Sequence, residues 1–143
     1  MLKKQALIKA ILSSSVFLSV SFSALSETVI IVNPNNDSAI DAKVAQRIFL
    51  GKEGKFSNGK EAIPVNQIAD SPSRTDFDTT VLGRSSAQVS AYWSKLVFTG
   101  KGIPPKEVQN DAEVIALVAD NQDAIGYVDS AAVTGNVKAI PLN

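Results

Sequence analysis

An uninterrupted β-branched run, Thr28–Val32, is the strongest indication of fold in this sequence. The run ends at Asn33-Pro34-Asn35-Asn36, so it predicts a strand buried on both faces and then a turn. A strand of that kind needs a packed layer on each side of its sheet. Helical spacing follows at once, from Ile40 to Ile48, with Gly51 as the stop. The opening of the domain therefore predicts an α/β fold.

The rest of the sequence continues this alternation. Further strands are predicted at 62–66, 124–128 and 137–140, the first at or near a sheet edge because Pro64 cannot donate to a ladder. Helices are predicted to begin at residues able to cap them: Ser38, Ser71 or Ser73, Ser85 and Asn110. Residues 100–105 are read as a loop and 130–135 as a small turn or helical segment. The order is strand, helix, strand, helix, helix, helix, strand, strand, which predicts one layered α/β domain.

The first 26 residues have the pattern of a cleavable secretory signal. Lys3, Lys4 and Lys9 precede an uncharged apolar stretch, and Ala24-Leu25-Ser26 supplies small residues for cleavage before Glu27. A membrane anchor is the alternative, but serines interrupt the stretch, which is short for a bilayer span of about 20 apolar residues. We therefore expect a signal peptide at 1–26, an exported domain at 27–143, and no stable membrane insertion after cleavage.

Composition removes several classes of function. The sequence contains no histidine and no cysteine, which excludes thiol nucleophiles, a Ser-His-Asp triad and the usual zinc ligand sets. Asp76 and Asp78 are two apart on a predicted helix and diverge, so a paired-carboxylate site is not expected. We predict a protein that is not an enzyme, with no catalytic residues, no cofactor and no metal.

Charge argues against a nucleic-acid partner. Three of the 14 basic residues and none of the 14 acidic ones lie in 1–26, which leaves residues 27–143 with a net charge of −3. Nucleic-acid binding needs a concentrated basic surface to neutralise phosphates.

A polar cluster stands at the predicted start of the second helix. Ser71, Ser73, Arg74 and Thr75 combine hydroxyls with a guanidinium where helical N–H groups point outward, a setting that suits a phosphate, sulfate or carboxylate. The alternative is ordinary capping by Ser71 or Ser73, with Arg74 solvated or paired with Asp78 one turn later. The pattern by itself leaves both readings open.

Aromatic residues on the longest predicted helix allow two readings as well. Trp93 could form a ligand-stacking surface with Tyr92 and Phe98. However, Trp93 falls on the apolar stripe with Val89, Leu96 and Val97, which favours core packing.

Three blocks together resemble the phosphate-binding proteins of bacterial ABC uptake systems. They are Arg47–Lys52, Phe98–Gly102 and Val118–Val128, and the last is similar to a family signature in which a helix enters an Ala-Ile-Gly-Tyr-Val strand. The resemblance implies a single lobe of a type 2 periplasmic-binding fold, with a mixed sheet flanked by helices. It also implies export to the periplasm of a Gram-negative bacterium and capture of a phosphate-like oxyanion without chemistry.

The family pocket carries Arg, Asp and then Ser-Gly-Thr, and this sequence departs from that pattern. Aligned through Phe77, it has Gln67 and Ala69 for the charged pair and Ser71-Pro72-Ser73 for the triplet. Gln67 brings no charge and Pro72 has no N–H to donate. Weak oxyanion binding by the monomer is therefore expected, with Arg74 as a compensating cation and the second subunit of a homodimer as the candidate for the missing lobe. The rival hypothesis is an envelope interaction module that has kept the fold and lost the ligand.

Overall fold

A computed structural model describes residues 27–142 of the chain. The predicted signal peptide, residues 1–26, lies outside the described residues. Within 27–142, no helix combines the length and the apolar character needed to cross a bilayer.

The elements follow one another closely along the chain. The strands are β1 (Thr28–Val32), β2 (Ile63–Gln67), β3 (Lys106–Val108), β4 (Ala124–Asp129) and β5 (Lys138–Ile140). The helices are α1 (Ala42–Phe49), α2 (Pro72–Phe77), α3 (Ser86–Phe98) and α4 (Asp111–Asp120). A π-helical turn, Asp78–Leu82, continues α2, and a single 3₁₀ turn, Ser130–Ala132, follows β4.

The strands form one mixed sheet of five in the order β3-β2-β4-β1-β5. β1 runs antiparallel to β4 and β5, whereas β2 runs parallel to both β3 and β4. Strand β2, which contains Pro64, is the neighbour of the edge strand β3, so the predicted position near an edge is confirmed. The pairing of β2 with β3 begins at Val65, one residue after Pro64.

Each face of the sheet is covered by its own apolar cluster. On one face Ile30 and Tyr127 pack with residues of α1, of α2 with its π turn, and of α3. On the other face Ile31 and Val128 pack with Val114 and Val118 of α4. The buried run that opens the domain is therefore covered on both sides, as the sequence predicts.

Several local predictions need correction. Helix α1 begins at Asp41, whose side chain accepts from the Val44 N–H, and not at Ser38. Val97 is half exposed and lies off the buried stripe of α3, where Val89 and Trp93 are buried. Strand β3 was not predicted, because three residues are too few to show a period.

Close contact between β4 and α4 gives the first testable prediction. A Cβ at Gly126 would lie 2.4 Å from Val114 Cγ1, inside the core. We expect Gly126→Ala to lower the free energy of unfolding by about 1–3 kcal/mol through overpacking, measured by denaturant unfolding. Gly54→Ala is the control, since a Cβ there meets nothing within 4 Å. In the double variant with Val114→Ala, the loss of stability should be smaller than the sum of the two single losses, because the clash is removed. Strictly additive losses would contradict the proposed clash.

Candidate functional site

A polar pocket of about 370 Å³ opens where α2 and α4 begin. Its walls come from the end of β2 and the segment after it, the first turns of the two helices, and the end of β4. The lining residues are Gln67, Ile68, Asp70, Ser71, Pro72, Ser73, Gln109, Asn110, Asp111 and Asp129. We call this the α2–α4 pocket.

Ser71 both caps α2 and fixes the amide of Gln67. The Ser71 hydroxyl accepts from the Arg74 N–H at 3.4 Å and donates to Gln67 Oε1 at 2.5 Å. Pro72 occupies the first helical position, where a missing N–H costs little. The capping reading of the sequence is therefore confirmed for Ser71, which also lines the α2–α4 pocket.

Asp111, the first residue of α4, holds this pocket together. Its Oδ1 accepts from the Ser73 hydroxyl at 2.9 Å and from Gln67 Nε2 at 2.8 Å. Its Oδ2 accepts from the backbone N–H of Asp129 at 3.3 Å. Sequence reasoning missed Asp111, because an acidic residue in the first turn of a helix is an ordinary helix-start feature.

Arg74 turns away from the α2–α4 pocket and is only 2% exposed. Its Nε donates to Asp78 Oδ2 at 2.6 Å, and Nη1 donates to the Gln67 carbonyl at 2.7 Å and to Glu107 at 3.3 Å. Burial lowers the pKa of Arg74, but the hydrogen bond and the charge of Asp78 outweigh burial, so the pKa is raised and the guanidinium stays charged. The pairing of Arg74 with Asp78 is the alternative that the sequence left open.

The structure thus separates the predicted oxyanion residues. Ser71 and Ser73 line the α2–α4 pocket, whereas Arg74 does not. Thr75 is exposed and donates to the Ser71 carbonyl at 3.4 Å. Only two of the four candidates therefore meet in one place.

A buried hydrogen-bonded tyrosine supports the floor of the site. The Tyr127 hydroxyl donates to Asn66 Oδ1 and accepts from the Gln67 N–H at 3.1 Å. Its ring stacks on Phe77, with the ring centroids 3.9 Å apart. Burial raises the pKa of Tyr127 above its ordinary value, although the Gln67 hydrogen bond and the Arg74 charge oppose this. Tyr127 is therefore a neutral donor that fixes β2 against β4.

The chemistry of the α2–α4 pocket is that of neutral donors beside carboxylates. Asp70, Asp111 and Asp129 line it, and within residues 27–142 no lysine or arginine does. In that same part of the chain, no group of three or more acidic side chains is arranged to hold a metal ion. Such a pocket can bind a small polar group by hydrogen bonds, without a cation to neutralise an anion.

A second concavity, the α3 groove, lies on the Arg74 side and has a volume of about 490 Å³. Its walls include Trp93, Phe98 and Pro104, and Asn66 and Arg74 also line it. Phe98 is 92% exposed, and Ile103 nearby is 90% exposed. Trp93 itself is buried, so the core reading of this residue is confirmed and the exposed aromatic surface is that of Phe98.

Loss of the buried ion pair should be costly. Arg74→Met keeps most of the volume but leaves Asp78 buried and unpaired, so we expect a loss of about 3–5 kcal/mol in the free energy of unfolding. Arg47→Met is the control, because Arg47 and Glu53 form an exposed pair, 3.6 Å apart, worth about 0–1 kcal/mol. Urea unfolding of both variants checks the prediction, and similar losses in the two would contradict it.

Tyr127 should make stability fall at alkaline pH. The unfolded chain releases the tyrosine proton near about pH 10, whereas the buried hydroxyl keeps it, so rising pH favours unfolding. We expect Tyr127→Phe to be the less stable protein at neutral pH, with the gap narrowing as pH rises above about 10. Melting temperatures from pH 7 to 11 test this, and a constant gap would refute it.

Comparison with known proteins identifies the fold. No protein-family model matches the sequence, and no curated protein matches it. Among solved structures, an ABC-type phosphate transport receptor from Vibrio cholerae matches with a TM-score of 0.63 and 20% identity, over 80% of this chain and 45% of that one.

Two further solved structures have the same fold. A putative phosphate ABC transporter substrate-binding protein with bound phosphate, from Clostridium perfringens, matches with a TM-score of 0.65 and 19% identity, over 80% of this chain and 44% of its own. A possible phosphate binding protein from Planctomyces limnophilus matches with a TM-score of 0.56 and 17% identity, over 80% and 40%.

The chain spans less than half the length of each of these proteins. The expected fold, a mixed sheet flanked by helices as in one lobe of a periplasmic binding protein, is confirmed. This chain therefore has the fold of a phosphate ABC transporter substrate-binding protein and corresponds to part of a lobe of such a receptor.

Proposed function

We propose that this chain is an exported, non-catalytic binding domain that takes phosphate or a similar small oxyanion with low affinity in the α2–α4 pocket. The observation that carries this proposal is the convergence of the Gln67 amide with the Ser71 and Ser73 hydroxyls at the pocket wall. Hydroxyl and amide donors of this kind bind oxyanions through short hydrogen bonds.

The comparisons support the same ligand class. The Clostridium perfringens relative is described with bound phosphate, and the predicted signal at residues 1–26 agrees with the periplasmic setting of such receptors. The absence of histidine and cysteine from the sequence supports a binding role over catalysis.

Low affinity follows from the charges around the site. Gln67 and Ala69 stand where the receptor family has a charged pair, and Pro72 removes one backbone donor. Arg74 does not make up for this, because its guanidinium is buried against Asp78 and Glu107. The anion would therefore be held by neutral donors alone, with no cation from residues 27–142 in the pocket to pair with its charge.

A second candidate function is an interaction module that has lost the ligand. The exposed Phe98 and Ile103 favour it, since large apolar side chains at that exposure are typical of contact surfaces. An envelope protein or a second copy of the chain would then cover the α3 groove and supply the missing lobe.

Calorimetric titration separates the two functions. The processed protein, purified from the periplasm, is titrated with phosphate, sulfate and methylphosphonate at protein concentrations adequate for millimolar affinity. We expect heat with at least phosphate, and binding at least about tenfold weaker in Ser73→Ala, since a lost hydrogen bond to a charged ligand is worth roughly 1.5–3 kcal/mol.

The matched control is Thr79→Ala, because Thr79 is exposed and bonds only within its own helix. No heat with any of the three anions would overturn oxyanion binding. In that case a photo-crosslinking residue would be placed at position 98, in place of Phe98. Capture of one defined envelope protein would then support the function as an interaction module.

A further inference from the structure

The α2–α4 pocket already contains an anionic group that belongs to the protein. Asp111 is half-buried and stands at the start of α4, facing the start of α2 across the pocket. Its carboxylate accepts from the side chains of Gln67 and Ser73 and from the Asp129 N–H. A side-chain amide, a hydroxyl and a backbone N–H are also what a small oxyanion would use.

Every side-chain N–H and O–H of Gln67, Ser71 and Ser73 already donates a hydrogen bond within the protein. A serine hydroxyl has one hydrogen to donate and a glutamine amide has two. Ser73 uses its hydrogen on Asp111, and Ser71 uses its own on Gln67. Gln67 uses one N–H on Asp111 and the other on the Tyr127 carbonyl. An incoming oxyanion therefore finds these donors free only if Asp111 gives them up.

The negative charges around the pocket also oppose the binding of an external anion. Asp111 and its neighbours Asp70 and Asp129 line the pocket, so a second anion placed among them meets like charges at short range. The donors at Ser73 and Gln67 could serve Asp111 or an external anion, but not both at once.

We infer that Asp111 is the internal occupant of the oxyanion pocket, and that its carboxylate competes with external anions and determines their affinity. The inference rests on the proposed function, because it concerns the same pocket. Removal of the carboxylate frees the Ser73 hydroxyl and one Gln67 N–H and removes one negative charge. External phosphate then replaces the lost acceptor.

The test compares Asp111→Ala with Asp120→Ala. Asp120 ends the same helix, is exposed and does not line the pocket, so its removal changes net charge equally. Both processed proteins and the unaltered chain are titrated with inorganic phosphate and with sulfate. We expect Asp111→Ala to bind phosphate at least about tenfold more tightly than the unaltered chain, a change of about 1.4 kcal/mol, and Asp120→Ala to match the unaltered chain.

Thermal unfolding supplies a second readout. The Asp111→Ala protein leaves donors unpaired and should melt at a lower temperature, and millimolar phosphate should raise its melting temperature more than that of the unaltered chain. Asp111→Asn keeps the shape and one acceptor oxygen, so we expect a smaller gain in affinity than with alanine. If Asp111→Ala does not fold, Asp111→Asn carries the test and must still bind more tightly than Asp120→Ala.

The outcomes distinguish this inference from the proposed function. Equal phosphate affinity in the unaltered chain and Asp111→Ala overturns the internal-occupant inference and leaves oxyanion binding standing. Binding by Asp111→Ala alone supports the inference and overturns oxyanion binding by the natural protein. If neither protein binds phosphate and phosphate raises neither melting temperature, both the inference and the proposed function are overturned. If Asp111→Ala and Asp111→Asn gain equally in phosphate affinity, the inference that Asp111 occupies these donors is overturned.

Discussion

The buried ion pair between Arg74 and Asp78 fixes the end of the sheet at which both concavities lie. It lies within one helical stretch, yet the same guanidinium bonds to the Gln67 carbonyl on β2 and to Glu107 on β3. One side chain thereby connects α2 with the neighbouring parallel strands β2 and β3. Because an unpaired buried charge is so unfavourable, these partners must stay together. Arg74 is therefore a structural residue, and its guanidinium is not part of the α2–α4 pocket.

Strand alternation explains why two different concavities meet at one strand end. Asn66 lines the α3 groove, while Gln67, its neighbour, lines the α2–α4 pocket. Successive side chains of a strand point to opposite faces, so one strand end serves both. Tyr127 connects the two, because its hydroxyl bonds to the Asn66 side chain and to the Gln67 N–H.

Most of the fold could be predicted from the sequence because its signals are local. The β-branched run at Thr28–Val32, the caps at Ser85 and Asn110, and the glycines after α1 and α3 all act within a few residues. Strand β3 could not be predicted, since three residues show no period and form a strand only by pairing with β2. The N-cap of α1 was misplaced because Ser38 and Asp41 are both good caps, and the position of the apolar face decides between them.

The candidate site shows where local information ends. The amino-acid sequence was enough to predict the α/β order, to exclude histidine and cysteine chemistry, and to predict a polar helix start at Ser71 and Ser73. The tertiary structure was needed to show that Arg74 is buried with Asp78. It was also needed to show that Asp111, 38 residues beyond Ser73, accepts a hydrogen bond from the Ser73 hydroxyl. A polar helix start offers hydrogen-bond donors wherever it occurs in a sequence, so it can be predicted locally. Which acceptor binds those donors depends on the strand order, because that order brings the start of α4, with Asp111, beside the start of α2.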